Sequence, residues 1–300
     1  MPSASGLAAP APSSSAVVSP TLPIEGPPLL TDLPRRHAGK QLVWDPAFHR
    51  FELGEAILTA ASASIALAAA IVPPRNTDWS HGFGFDERVR DKLRLSSYVE
   101  RQYARDVSDV LLSLELSSPF LVDSLIVAYW YRGSRDVAIE MALIDAEAIA
   151  LTAAVQGAVT WVTGRERPYV RDCGSGIPDA TIDCTTNSRN RSFFSGHSSL
   201  SFTSAGLICS HHLTLDLFES SADEIACATG LAAAAATATL RVVGDQHYLS
   251  DVLVGAVIGA SIGFGLPALH HYRTRSPERP SAFQWHVMPT LGGVSAGGTF

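Results

Sequence analysis

Lysine is almost missing from this chain: only Lys40 and Lys92 occur in 300 residues, so nearly all of the 22 basic residues are arginines. Charge as a whole is scarce, at 17% of residues against about 25% in an average soluble chain. The net charge of -7 excludes the strong basic surplus of a typical nucleic-acid binder, so no nucleic-acid partner is expected. Four cysteines are too few for a disulfide scaffold, and none stand in a Cys-x-x-Cys pair that would suggest zinc. What is plentiful is hydrophobic sequence, 46% of the chain. Together with a mean hydropathy of +0.15, that excludes a wholly disordered chain, a coiled-coil rod and a collagen-like repeat.

The missing charge is concentrated. Residues 56–74, 148–164, 198–215, 225–240 and 252–272 contain no Asp, Glu, Lys or Arg. A sixth stretch, 116–131, is apolar except for Asp123 and closes on Tyr129, Trp130 and Tyr131, as at a membrane interface. A bilayer core about 30 Å thick takes roughly 20 apolar residues as a helix. The chain therefore predicts an all-α fold, a six-helix transmembrane bundle. A soluble bundle with Ala-rich packing is the competing reading, since Ala, Ser, Thr and Gly dominate several runs. The same small residues suit close helix contact in a membrane, as in the Gly255, Gly259, Gly263 spacing.

Arginines at 35, 36, 50, 132, 135, 273, 275 and 279 place both termini and the 132–135 loop inside by the positive-inside rule. Residues 75–105 then fall outside, with Phe85, Val89 and Leu93 marking an amphipathic helix along the surface. Residues 1–50 read as a Pro/Ser/Ala-rich flexible tail without a convincing secretory signal, and 51–275 as the helical domain. Residues 276–300 read as a tail holding a short β-hairpin.

Three polar clusters interrupt the runs, each at a helix end and all expected on the outer side. They are Gly164-Arg165-Glu166-Arg167-Pro168, Ser192-Phe193-Phe194-Ser195-Gly196-His197, and the stretch from Arg241 through His247 to Asp251. Arg165, Arg167 and Arg241 offer planar forks matched to phosphate oxygens. Ser195 offers a hydroxyl, and Gly196 lets backbone N–H groups approach an anion at a helix start. Asp251 follows His247 by four residues, so on a helix it can hold one imidazole nitrogen and leave the other as nucleophile. His197 is then available to protonate a leaving oxygen. No carboxylate cluster suited to magnesium accompanies them, so no metal and no cofactor are expected. Taken singly, the arginines are interfacial anchors, His197 a helix-start residue, and His247 with Asp251 a structural pair. Their joint order is what carries weight.

These motifs resemble the signature of the phosphatidic acid phosphatase type 2 / vanadium-dependent haloperoxidase superfamily, K-x6-R-P, P-S-G-H and S-R-x5-H-x3-D. The matches are Arg167-Pro168, then Ser195-Gly196-His197, then Arg241, His247 and Asp251, and the resemblance spans about residues 55–272. It implies His247 as nucleophile, Asp251 as its partner and His197 as acid, with Arg167, Arg241, Ser195 and Gly196 holding phosphate. Thr160, Phe194 and Leu240 depart from the signature's Lys, Pro and Ser. Arg165 is the candidate to replace the lost lysine charge.

The expected activity is hydrolysis of a lipid phosphate or isoprenoid diphosphate through a phosphohistidine, on the periplasmic side of a bacterial inner membrane. A vanadate-dependent haloperoxidase and a non-catalytic lipid-binding protein with a decayed site are the alternatives. Cys173 and Cys184 are a candidate disulfide beside the pocket, and Cys209 and Cys227 read as buried thiols. The pairs His211-His212 and His270-His271 read as interfacial residues rather than ligands. Asp123, Glu140, Asp145 and Glu147 read as acids packed in the bundle or at loop ends.

Overall fold

The computed structural model describes residues 40–75, 77, 79–174, 184 and 187–273, and the backbone of 284–290 and 293–299. Seven α-helices follow in order: α1 (Leu53–Ile71), α2 (Gly84–Leu93), α3 (Tyr98–Ser118), α4 (Arg135–Thr163), α5 (Gly196–Leu215), α6 (Ala222–Val243) and α7 (Leu249–Leu266). Helix α3 continues into a π-helix, Pro119–Tyr131, and α7 into another, Pro267–His271. Six helices are long and α2 is short, as the uncharged runs and the amphipathic pattern predict. The backbone of Gln284–Thr290 pairs antiparallel with Gly293–Thr299, Gln284 opposite Thr299, which is the expected hairpin.

Among the described residues four helical stretches are long and apolar enough to cross a membrane: Leu53–Ile71, Tyr98–Tyr131, Ala222–Val243 and Leu249–His271. The sequence predicts six; α4 and α5 fall short, and position explains α5. Helix α5 packs against α3, α4, α6 and α7, so it is shielded on all sides. Its buried Ser198, Ser199, Ser201, Thr203 and Ser204 therefore never have to satisfy lipid. Conversely, Ile57, Leu58, Ile65 and Leu67 of α1, Val107, Val110 and Leu114 of α3 and Leu121 of the π-helix that follows it are exposed. Polar side chains inside and apolar ones outside is the arrangement an apolar surrounding favours.

Helices α5 and α7 touch along a glycine stripe. A Cβ on Gly259 would lie 2.0 Å from the Ser199 carbonyl oxygen, and one on Gly263 2.3 Å from that of Thr203. The Thr203 hydroxyl donates across the seam to the Gly259 carbonyl at 3.1 Å. Because any side chain would push the backbones apart, these glycines hold the start of α7 beside the start of α5. There the Ser195 N–H donates to the Asp251 carbonyl at 3.0 Å.

The three polar clusters share one end of the bundle. At the other end, His211, His212 and His271 are fully buried rather than interfacial. His211 meets Asp145 at 2.8 Å, His212 meets Asp223 at 2.7 Å and Asp123 at 3.3 Å, and His271 meets Glu147 at 2.9 Å. Residues 40–50, counted in the tail by the sequence reading, pack on this end: Trp44 is buried against Phe48 and Tyr272, and Arg132 donates to the Lys40 carbonyl. Cys173 pairs with Cys184 in a disulfide. Cys209 of α5 also pairs with Cys227 of α6, Cα atoms 4.3 Å apart, which corrects their reading as free thiols. Two cysteines on separate apolar helices carry no sequence mark of facing each other.

Candidate active site

Helix α4 ends at Gly164, whose φ of +53° is left-handed and where a Cβ would sit 2.0 Å from the Arg75 carbonyl oxygen. The sharp exit sends Arg165 inward. Its guanidinium donates to Asp251 Oδ1 at 2.5 Å, to the Ser250 hydroxyl at 2.9 Å and to Asp86 Oδ2 at 3.0 Å. The same group lies over the rings of Trp79, Phe83 and Tyr248. Arg165 is thus fully buried between two carboxylates and three rings, and the expectation that it replaces the signature lysine as a phosphate ligand is corrected. Two residues on, Arg167 extends the other way and donates to Gln246 Oε1 at 2.9 Å.

The second cluster opens α5. Ser195 is the N-cap, its hydroxyl accepting from the Ser198 N–H at 3.3 Å, and Gly196 is the first helical residue. The opening N–H groups of a helix have no intrahelical acceptor, which favours an anion there. One turn upstream in space, Thr160 is buried and neutral. Its hydroxyl donates to the Phe193 carbonyl at 3.0 Å and accepts from Gln156 at 2.8 Å, so it supports the segment leading into α5.

The third cluster lies between α6 and α7, and α2 clamps it. Arg90 of α2 donates twice to Asp245, at 2.7 and 2.8 Å, while Asp86 accepts from the Ser250 N–H at 2.8 Å. The helix expected to lie along a surface therefore turns its charged face onto the site. Asp251, third residue of α7, accepts from the Tyr248 N–H at 2.9 Å and closes the first turn.

His247 is buried at 2% exposure. Its Nδ1–H donates to the Ser192 carbonyl at 2.8 Å, and Asp251 Oδ2 stands off at 3.8 Å. The direct His247–Asp251 hydrogen bond expected from their spacing is replaced by a relay, because Asp251 Oδ2 accepts from the Ser192 hydroxyl at 2.6 Å. A carbonyl on Nδ1 fixes the proton there and leaves the Nε2 lone pair open. Burial, followed by the charges of Arg167, Arg241 and His197, holds the His247 pKa well below its usual value, so the ring is neutral near pH 7.

At this end His247 Nε2, Arg167 Nε and Arg241 Nε are buried without a hydrogen-bond partner, as are Arg94 Nε and Arg165 Nε. Leaving such groups unpaired is costly unless a ligand completes them. Beside them His197 Nε2–H donates to Asp109 Oδ1 at 2.7 Å, and that oxygen also accepts from Arg241 at 2.9 Å. The structure thus gathers Arg167, Arg241, His197, His247 and the α5 start, and keeps Arg165 outside the gathering. Asp86, Asp109, Ser192 and Gln246 were missed as contributors. Ser192 and Gln246 lie within the named clusters, and nothing local marks Asp86 or Asp109.

What the fold and site define is a helical bundle that gathers arginine and imidazole side chains at one end. Residues 142–275 match the family model described as the PAP2 superfamily, and the chain carries a PAP2 superfamily domain over that span. The match holds all three clusters and leaves α1, α2 and α3, with Asp86 and Asp109, outside it. No curated protein and no solved structure matches the chain.

Proposed function

We propose that this protein is a phosphatase that hydrolyses a lipid phosphate or diphosphate by way of a phosphohistidine, without a metal in the reaction. The observation that carries the reading is the set of three buried, unpartnered nitrogens on His247, Arg167 and Arg241. A phosphoryl group supplies the oxygens the guanidinium groups lack and the electrophile an open imidazole lone pair can attack. The family suggests the same type of activity.

In this mechanism His247 Nε2 attacks phosphorus and forms the P–N bond as the bond to the leaving oxygen breaks. His197, as the imidazolium, gives its Nδ1 proton to that oxygen while its Nε2–H stays on Asp109. Arg167, Arg241 and the N–H groups opening α5, with Ser195 and Gly196, hold the charge growing on the phosphoryl oxygens. Water then attacks phosphorus, His197 takes its proton, and the P–N bond breaks to release phosphate. Arg165 and Asp251 work at one remove, holding Ser192 so that its carbonyl keeps the His247 tautomer.

A lipid substrate fits the four apolar helices, whose exposed side chains suit a bilayer beside the pocket. The test is phosphate release from short-chain phosphatidic acid in detergent with EDTA, comparing wild type with His247→Ala. We expect turnover in the wild type and a loss of about 10,000-fold or more in the variant. Equal rates in the two proteins overturn the reading.

A further inference from the structure

At the end of the bundle remote from the pocket, three side chains from three separate segments meet. His49 comes from the segment before α1, Glu55 from the first turn of α1, and His270 from the π-helix that ends α7. His49 Nε2 lies 2.9 Å from Glu55 Oε1, and His270 Nε2 lies 3.0 Å from the same oxygen. The two imidazole rings stack with centroids 5.0 Å apart. The three donor atoms all fall within 4.8 Å of one another.

We propose that these residues form a divalent transition-metal site, with zinc the best-suited ion. Two imidazoles and one carboxylate are borderline and hard donors of the kind zinc takes, and three protein ligands leave a fourth position for water. The surroundings are built for it. Glu55 Oε2 accepts from the Glu52 N–H at 3.0 Å, which aims Oε1 at the imidazoles. The His49 N–H donates to the His271 carbonyl at 2.9 Å, locking the approach of residues 48–50 to the chain beside His270. Glu55 and His49 are largely buried, whereas the His270 side chain is 51% exposed and gives the ion a way in.

Tetrahedral zinc bonds of about 2.1 Å need donors about 3.4 Å apart. The two imidazole-to-carboxylate separations, 2.9 and 3.0 Å, are shorter by about half an ångström, an adjustment the exposed His270 ring can make. The ion would tie the start of α1 to the end of α7, roughly 30 Å along α7 from His247, so its role is structural and separate from the reaction. The inference does not rest on the phosphatase reading. His270, expected as an interfacial residue, becomes a ligand in it.

The experiment is Co2+ titration of the full untagged chain in detergent, followed by Zn2+ competition, with His270→Ala and Glu55→Gln alongside. We expect one equivalent of Co2+ to give a tetrahedral visible spectrum that Zn2+ abolishes. Binding should be at least about 100-fold weaker in His270→Ala, a change on the protein's surface that leaves the bundle folded by circular dichroism. Zn2+ should also raise the Tm of wild type and not of Glu55→Gln. Absence of saturable Co2+ binding in folded wild type, or equal affinity in His270→Ala, overturns the site.

Discussion

Both ends of the bundle bury histidines beside carboxylates, but they do so with opposite surroundings. At the remote end His211 is held on both ring nitrogens, by Asp145 at 2.8 Å and the Tyr272 hydroxyl at 2.6 Å. His212 is held on both by carboxylates, Asp223 and Asp123. A ring that donates to carboxylates from both nitrogens is an imidazolium with nothing left to give. At the other end His247 has one nitrogen on a neutral carbonyl and the other unpartnered, with Arg167 and Arg241 acting on it and Asp251 standing off at 3.8 Å. A buried histidine is therefore read by what saturates it. Partners on both nitrogens make a strut, and a carbonyl behind with cations around leaves a lone pair open, the feature on which the proposed nucleophile rests.

The sharpest way to break that contrast is to remove a cation from the pocket. Arg241→Gln leaves a buried side chain of similar reach while deleting the guanidinium that meets Asp109 and Ser108. If Arg241 stabilises charge on the phosphoryl group, kcat/KM for phosphate release falls about 100- to 1,000-fold, as for loss of one oxyanion donor. A fall below tenfold in a folded variant would remove Arg241 from the pocket's chemistry.

The opposite manipulation belongs at the remote end. His211→Phe keeps the ring volume but strands the buried Asp145 carboxylate and the Tyr272 hydroxyl. Removing one partner of a buried pair costs about 3–5 kcal/mol, so thermal unfolding should shift down strongly. Turnover per folded molecule should change little. Loss of turnover with an unchanged Tm would mean the two ends are not separable in function.

Much of this was legible in the chain, and the rest was hidden for physical reasons. Helices α1, α6 and α7 announce themselves because a helix facing an apolar surrounding must shed charge along its whole length. Helix α3 does not: it begins at Tyr98, well before the apolar stretch at 116–131, since Arg101 and Asp109 serve the site end. The three clusters were legible because each sits at a helix end with fixed spacing. Arg165 was misread because the Gly164 turn, set by the distant Arg75 carbonyl, decides which way it points. Asp86 and Asp251 claim it across 79 and 86 residues, a separation that no local pattern encodes. The Cys209–Cys227 bridge was hidden for the same reason.

The smallest expected effect sharpens the contrast most finely, through pH. In the proposed mechanism the neutral imidazole is the nucleophile, and burial with the Arg167 and Arg241 charges holds the His247 pKa well below 6.5. The acid limb of kcat/KM reports groups of the free enzyme, so the His247 contribution to it should lie below pH 6.5. Arg167→Gln removes one of the depressing charges, and the limb should move to higher pH. The substrate phosphate also titrates near pH 6, but identically for both proteins, so the difference between profiles isolates the protein's share. Stability carries the matching sign: below the unfolded value near 6.5 the unfolded chain takes up a proton that the folded chain refuses, so acid weakens the fold. A limb that stays in place in Arg167→Gln, or moves to lower pH, would show that cations do not set this histidine apart from those at the other end.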